Sequence, residues 1–483
     1  MNVLQRVAKN TLAMALCNVV SLISGFAYAA YTARYLGPDR YGIIGTAIAL
    51  TSLFSFISDL GLNQLMIRDI ARNKGLAKKY VGNIILIKLI LTILTFSTIA
   101  LAVNILGYTD LTKSVIYLMT LYISLNAFNS IFNSLFQAYE KMEYLSLSSI
   151  INSVLMLAGA FVAVSYGSGV IGFALIYVPV SLICLLYGIG VLYFKFFKPG
   201  IEADLKFWRP TISEALTFGL NGLFVSLYYW SAPVMLSYSK GSEAVGWYNA
   251  AFRLILILLF LPNIMSITLF PLMSQFYVVA RDNMHFAYLK NFKYMAVLAI
   301  PMGVGTTLLA DQIILMIFGG AFINSAAALR ILVWSAVFIF LSSASTVLLQ
   351  SSNKQRTLVK ITSLCAVINI TINVLLIPQY SYLGASVTAA ITEFSALVLV
   401  TASCAGMGHG LLKNSFYDLI KIAIASSFMA VIVVLLKDLS LIILIPLSAT
   451  IYFIVLYMIN GFEAGELETF KSVLRYMIAR SKD

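Results

Sequence analysis

Fourteen runs of about twenty apolar residues follow one another along the chain, and no other feature limits its fold as tightly. They fall at 12–34, 42–62, 81–106, 114–137, 144–166, 169–194, 211–237, 247–276, 294–318, 331–350, 358–377, 383–406, 419–436 and 440–460. Each is long enough to cross a hydrocarbon layer of roughly 30 Å at a helical rise of about 1.5 Å per residue. In lipid the backbone must satisfy its own hydrogen bonds, and continuous runs of this length do so as helices. The fold class expected is an all-α polytopic membrane protein with about 14 transmembrane helices. Composition agrees: 61% of the residues are hydrophobic and 11% are charged, with a mean hydropathy of +0.94. A soluble domain carries about 25% charged residues, so a soluble globular protein is excluded. The first run follows Arg6 and Lys9 as a signal peptide would, but its 23 residues exceed a signal core, and LGPDRYG stands where small residues would mark a cleavage site. It is expected to stay in the mature protein.

The net charge is +13, yet the basic residues lie scattered between apolar runs and form no patch for nucleic acid. They read instead as topology. With the N terminus cytoplasmic, the inner segments hold 24 of the 32 Lys and Arg residues and the outer segments hold 6, with Lys88 and Arg253 left inside spans. That bias follows the positive-inside rule and places both termini in the cytoplasm, in a multi-pass protein of the cell membrane. Cys17, Cys184, Cys365 and Cys404 all lie within apolar runs without a CxxC pair, and His285 and His409 are 124 positions apart. No metal, cofactor or disulfide framework is expected from them.

The two halves echo one another. The stretch LGPDRYGIIGTAIA, Leu36 to Ala49, aligns without gaps on Lys240 to Arg253 at a shift of 204, so that Gly37 meets Gly241, Asp39 meets Glu243, Gly42 meets Gly246 and Ala47 meets Ala251. FQAYEK, ending at Lys141, echoes LQSSNK, ending at Lys354, and Gly172 echoes Gly384. Because six spans separate the copies, the repeats are parallel, and such repeats rock about a cavity between them. The division expected is an N-terminal lobe over 1–194, a cytoplasmic amphipathic linker over 195–210, a C-terminal lobe over 211–406, two further helices within 407–460 and a cytoplasmic tail over 461–483.

The outer turn RYLGPDRYG, the ISDLGLNQLMIRDIAR that ends span two, VGWYNAAFRL, LFPLMSQ, LADQIILMIFGGAFINSAAALRIL and LLIPQYSYLGASVTAAITE together resemble the polysaccharide-exporter branch of the multidrug, oligosaccharidyl-lipid and polysaccharide flippase superfamily. The likeness runs in order through nearly the whole chain and is least distinctive in the last two spans. It implies a flippase of the Wzx O-antigen type, which moves a polyprenyl-diphosphate-linked oligosaccharide from the cytoplasmic to the outer leaflet. It also implies two six-helix lobes around a polar, often cationic, cavity, with lipid-linked oligosaccharide and membrane lipid as partners.

Charges inside spans are costly, at about 2.5–3.5 kcal/mol each on insertion scales, and they mark cavities or pairs. Arg253, seven residues into span eight, offers a planar fork to phosphate oxygens, and Lys88 offers a point charge at similar depth from the other side. Arg34 in the outer turn is a third candidate step for an anionic headgroup. Asn126, Asn129 and Asn133 share one face of span four, and Asn129 is taken with Tyr228 as a sugar contact; Tyr228, Tyr229 and Trp230 follow one another in span seven. For coupling to a proton or sodium ion the candidates are Glu393, at the midplane of span twelve, and Asp59 and Asp311 nearer the ends of their spans. Pro262, Pro271 and Pro301 are candidate hinges.

No GxxxxGK loop is present, so ATP hydrolysis by this chain is not expected, and no loop is long enough for a soluble catalytic domain. The chain therefore reads as a transporter and not an enzyme. Two alternatives stand beside that reading. A cation-coupled multidrug exporter of the same superfamily would need acidic residues to dominate the cavity. A membrane glycosyltransferase or polymerase would have to build its site from Glu202 and Asp204.

Overall fold

The structure is a computed structural model that describes residues 3–198, 200, 202–279 and 281–462. The expected tail over 461–483 lies almost wholly outside the described residues. Among these residues the chain forms fourteen α-helices: α1 (Val3–Asp59), α2 (Leu62–Arg72), α3 (Ala77–Ile105), α4 (Asp110–Ala138), α5 (Met142–Ser165), α6 (Val170–Val191), α7 (Leu205–Lys240), α8 (Ser242–Leu258), α9 (Phe260–Val279), α10 (Arg281–Phe318), α11 (Ser325–Ser351), α12 (Gln355–Ala405), α13 (Lys413–Leu435) and α14 (Leu441–Met458).

Eleven helical stretches are long and apolar enough to cross a membrane, and two of them are too long for one crossing: Val19–Asp59 with 41 residues and Gln355–Ala405 with 51. The first breaks at Gly37 and the second at Ser381, where the backbone leaves the helical region. Each therefore holds two of the runs seen in the sequence, and α7 holds span seven. Span eight is divided between α8 and α9, with Pro262 in the first turn of α9 and Pro271 inside it. One helix went unforeseen. α2 follows span two, with Leu62, Leu65, Met66 and Ile70 fully buried on one face and Arg68 and Arg72 off it.

The echo between the halves has a backbone counterpart. Gly37 (φ 73°, ψ 172°) and Gly241 (φ 83°, ψ 178°) adopt the same conformation, one that glycine reaches without a Cβ clash. Glu140 and Asn353, matched by the second echo, both have φ 57°. The contact between the first pair of copies is also reciprocal. A Cβ on Gly42 would run into the carbonyl of Ser242, and a Cβ on Gly246 would run into the carbonyl of Pro38. Pro38 and Ser242 are themselves 204 positions apart, so α1 and α8 cross at a local two-fold with backbone against backbone.

The helices group into two compact units. The first comprises Met1–Ile257, Ile317–Ala328 and Thr362–Ala389; the second comprises Leu258–Met316, Leu329–Ile361 and Ala390–Asp483. Within the linker expected over 195–210, the described residues between Phe196 and Leu205 are irregular, and α7 starts at Leu205. Asp204 caps it, accepting from the amides of Lys206 and Phe207, and pairs with Lys79 at 2.8 Å. That Lys79 contact holds the Asp204 carboxyl below its ordinary range. Asn83, fully buried on α3, accepts from the Asp204 amide at 2.9 Å and from the Trp208 indole at 2.8 Å, tying the start of α7 to the first unit. In the second unit α13 and α14 pack on α10 around an apolar cavity of about 230 Å³ bordered by Pro301, Met429 and Tyr452, and the Tyr452 hydroxyl donates to the carbonyl of Val297.

Candidate functional site

Three helices of the first unit pass in turn through an apolar cluster, a polar band and a second apolar cluster. On α4, Val115, Ile116 and Met119 belong to one cluster and Ile131, Phe132 and Leu135 to the other. Between them Tyr122, Asn126 and Ser130 recur at four-residue spacing and so share one face. On α1 the residues after Leu50 that face the band are Ser52, Ser55, Ser58 and Asp59, before the second cluster resumes at Leu62. α3 runs from the second cluster, with Ile84, Ile87 and Leu91, to the first, with Ile99 and Val103, and its Lys88 reaches the band from within the second cluster's stretch. Where the three bands meet, with Asn152 of α5, Tyr177 of α6 and Arg253 of α8, they enclose a cavity of about 570 Å³. That is the size of a small-molecule site.

The cavity carries charge at two places. Lys88 has no exposed surface, and its ammonium lies 2.9 Å from Asp59 Oδ1, 2.9 Å from Asn63 Oδ1, 3.0 Å from the carbonyl of Ala127 and 2.8 Å from Ser130 Oγ. An ammonium has three protons, so these four acceptors consume its donors. Arg253 is different. Its guanidinium is half-buried and donates at 3.2 Å to the carbonyl of Gly25, a neutral acceptor, and among the described residues no carboxylate lies within 4.0 Å of it. Among the described residues, four of its five N–H donors meet no acceptor and can serve a ligand. Ile48 borders the cavity beside Arg253 and Asp59 borders it beside Lys88, eleven residues apart on α1, about 16 Å at the helical rise.

Of the residues singled out from the sequence, the structure brings Arg253, Lys88 and Asp59 together around this cavity. Lys88 is not the open phosphate-binding charge that its position suggested, because Asp59 and three neutral acceptors already hold it. Asn126 lines the cavity, whereas Asn129, one helical face away, is buried outside the lining. Tyr228 stacks edge-on to Tyr229 at 5.1 Å and also lies outside it. Arg34 donates to the carbonyl of Ile317 at 2.8 Å and does not reach it. Asp311 forms an ion pair with Arg330, and Glu393 is buried on α12; both belong to the second unit. His285 and His409, so far apart in sequence, bring their rings within 5.4 Å in that same unit. Among the described residues no group of three His, Cys, Asp or Glu is arranged to hold a metal. Sequence reasoning missed Tyr28, Asn63, Tyr122, Asn152 and Tyr177. The spacing of Tyr122, Asn126 and Ser130 was the signal available for one wall.

A family profile described as "Polysaccharide biosynthesis protein" matches residues 7–277, more than half of the chain, including every residue that lines the cavity. The chain belongs to the polysaccharide biosynthesis protein family. A second profile, MatE, matches residues 219–375. Over 393 residues the protein is 23% identical to the probable low-salt glycan biosynthesis flippase Agl15 of Haloferax volcanii, with 80% of each chain covered. It is 21% identical to a putative O-antigen transporter of Escherichia coli, covering 75% of this chain and 88% of that one. Its fold is similar to that of the lipid II flippase MurJ in an inward closed conformation, with a TM-score of 0.76 at 15% identity, covering 93% of this chain and 99% of that one. An inward-facing multidrug resistance MATE family transporter follows with a TM-score of 0.67 at 15% identity, covering 80% and 94%. The resemblance read from the motifs and the all-helical polytopic fold are both borne out, and this member of the family is a multi-pass membrane protein.

Proposed function

We propose that the protein is a flippase that moves a polyprenyl-diphosphate-linked oligosaccharide from the cytoplasmic to the outer leaflet for cell-surface polysaccharide synthesis. The observation that carries this reading is Arg253: a guanidinium with donors to spare, facing a polar-walled cavity, with no described carboxylate to neutralise it. Holding a cation in a membrane span is costly unless it meets an anion there, and a planar fork suits a diphosphate. The headgroup occupies the cavity while the prenyl chain stays in lipid. Alternating access carries the headgroup across, with both termini cytoplasmic in the cell membrane. The names of the relatives, glycan flippase and O-antigen transporter, support the same substrate class.

The cavity also speaks to the rival transporter reading. A cation exporter needs an acidic cavity, but the carboxylate that lines this one, Asp59, is already paired with Lys88. The same pair is the proposed site of ion coupling, since a proton delivered to Asp59 would release the Lys88 ammonium. No catalytic step is assigned to the chain. The test is deletion of the gene followed by lipid analysis, with complementation by wild type and Arg253→Ala. Prenyl-linked glycan accumulates on the cytoplasmic side in the deletion strain and in the inserted Arg253→Ala strain. Normal glycolipids together with drug sensitivity would overturn the reading.

A further inference from the structure

The wall of the cavity between Arg253 and the Lys88 and Asp59 pair is neutral, polar and aromatic. Tyr177 holds two other tyrosines edge-on, Tyr28 at a centroid distance of 5.9 Å and Tyr122 at 5.0 Å, with interplanar angles of 84° and 76°. Tyr28 and Tyr177 are buried, and Tyr28 lies on the wall of both the main cavity and a smaller one of about 100 Å³, with Arg253 common to the two. Tyr122 is only partly buried and borders the main cavity. One turn further along α4 stands Asn126, and Asn152 on α5 completes the same lining; both are partly exposed there.

Neither end of the cavity accounts for this wall. A diphosphate needs cations, and these residues carry none. A cationic drug needs carboxylates, and they carry none of those either. Two primary amides and a phenol offer several donors and several acceptors without net charge, next to an aromatic ring. That is what a pyranose requires: its hydroxyls donate and accept in turn, while its C–H face packs on a ring with an apolar face. The Tyr122 ring is fixed by its contact with Tyr177, so its orientation costs little on binding. Its position matters too. Tyr177 borders Arg253 in the smaller cavity and touches Tyr122, which places the neutral wall directly beside the anion site.

We propose that Tyr122, Asn126 and Asn152 form a sugar subsite beside Arg253, which takes the pyranose ring attached directly to the diphosphate. The subsite rests on the flippase reading above and deepens it, because it makes the first sugar, and not only the charged linkage, a determinant of what enters the cavity. Sugars further along the glycan lie beyond this wall and are not read by it.

The experiment measures binding to the full-length protein in lipid nanodiscs by titration calorimetry, with four probes: farnesyl diphosphate, and farnesyl-diphosphoryl-glucose, -galactose and -N-acetylglucosamine. At least one glycosylated probe is expected to bind about tenfold or more tightly than farnesyl diphosphate, as a site built to pair with hydroxyls discriminates against a ligand lacking them. Asn126→Ala, Asn152→Ala and Tyr122→Leu are expected to erase that ratio while leaving the affinity for farnesyl diphosphate unchanged. Tyr122→Phe keeps the ring and retains part of the ratio. Arg253→Ala weakens all four probes together. Equal affinity of the wild type for all four probes would overturn the subsite, as would a ratio that survives in Asn126→Ala and Tyr122→Leu. If farnesyl diphosphate binds equally well to wild type and Arg253→Ala, it is the flippase reading that fails, and the two failures are told apart by which probe reports them.

Discussion

The ammonium of Lys88, wholly removed from solvent, lies 2.9 Å from a carboxylate oxygen of Asp59, whose side chain keeps 30% of its surface exposed. The pair is therefore asymmetric. Removing one member of a buried ion pair costs about 3–5 kcal/mol because the other is left as an uncompensated charge. Asp59→Asn strands the fully enclosed Lys88, whereas Lys88→Met leaves Asp59 with an outlet to the cavity. Thermal unfolding of the purified protein in detergent should show the larger drop for Asp59→Asn, on the order of 3 kcal/mol, and roughly 1 kcal/mol for Lys88→Met. The double variant should be more stable than Asp59→Asn alone. Equal losses in the two single variants, with additivity in the double, would contradict the pairing.

Arg253 should be sensitive to geometry as well as to charge. A hydrogen bond to a charged group is worth about 1.5–3 kcal/mol, so losing one corresponds to roughly ten- to a hundredfold. Flipping of a fluorescent short-chain prenyl-diphosphate glycan in proteoliposomes should fall about tenfold in Arg253→Lys, which keeps the charge without the fork, and about a hundredfold in Arg253→Ala. Full activity of Arg253→Lys would mean that only a point charge is needed.

Gly42 and Gly246 each bring α1 and α8 together at the same crossing. Alanine at either position places a methyl group on the carbonyl of Ser242 or Pro38, and overpacking of this kind costs about 1–3 kcal/mol. Once the helices have been pushed apart by one methyl, a second meets less resistance. Gly42→Ala and Gly246→Ala should therefore each lower the melting temperature, and the double variant should fall clearly short of their sum.

Asn83 accepts both the Asp204 amide and the Trp208 indole. Asn83→Leu removes that acceptor from two donors, at a cost of about 1–3 kcal/mol. In a background with Trp208 as the sole tryptophan, emission should shift to the red and quenching by acrylamide should rise. The neighbouring Lys79 and Asp204 contact has its own pH dependence. Because the Asp204 carboxyl is held below its ordinary range, the contact stabilises the fold above the unfolded-state value and is lost as pH falls through the folded-state value. Trp208 emission should thus hold steady to more acid pH in the wild type than in Lys79→Met.

Much of the fold can be read from the chain because a lipid environment turns one local property, apolar run length, into a global one. Every run predicts a span, and the fourteen runs lie almost wholly in helices, with span eight divided between α8 and α9. The break at Gly37 follows from the LGPDRYG turn. The break at Ser381 falls in the gap between the runs at 358–377 and 383–406, three residues after Pro378, whereas α2 escaped because its eleven residues are too short and too amphipathic for a rule based on apolar length.

The sequence by itself determined that this is a polytopic helical membrane protein with a repeated Gly-containing turn, and it put Arg253, Lys88 and Asp59 in view because a charge within an apolar run is conspicuous wherever it points. Tertiary structure alone decided which of those charges is spent. Lys88 and Asp59 are 29 positions apart, and Asn63 and Ser130 lie on two further helices, so the four-acceptor cage around one ammonium has no signature along the chain. The same holds for the tyrosines. A neutral side chain inside a span costs little whether it faces lipid, a packed neighbour or a cavity, so its residue type does not report its direction. Only the packing of α1, α4, α5 and α6 sets Tyr122, Asn126 and Asn152 on one wall and leaves Asn129 and Tyr228 off it.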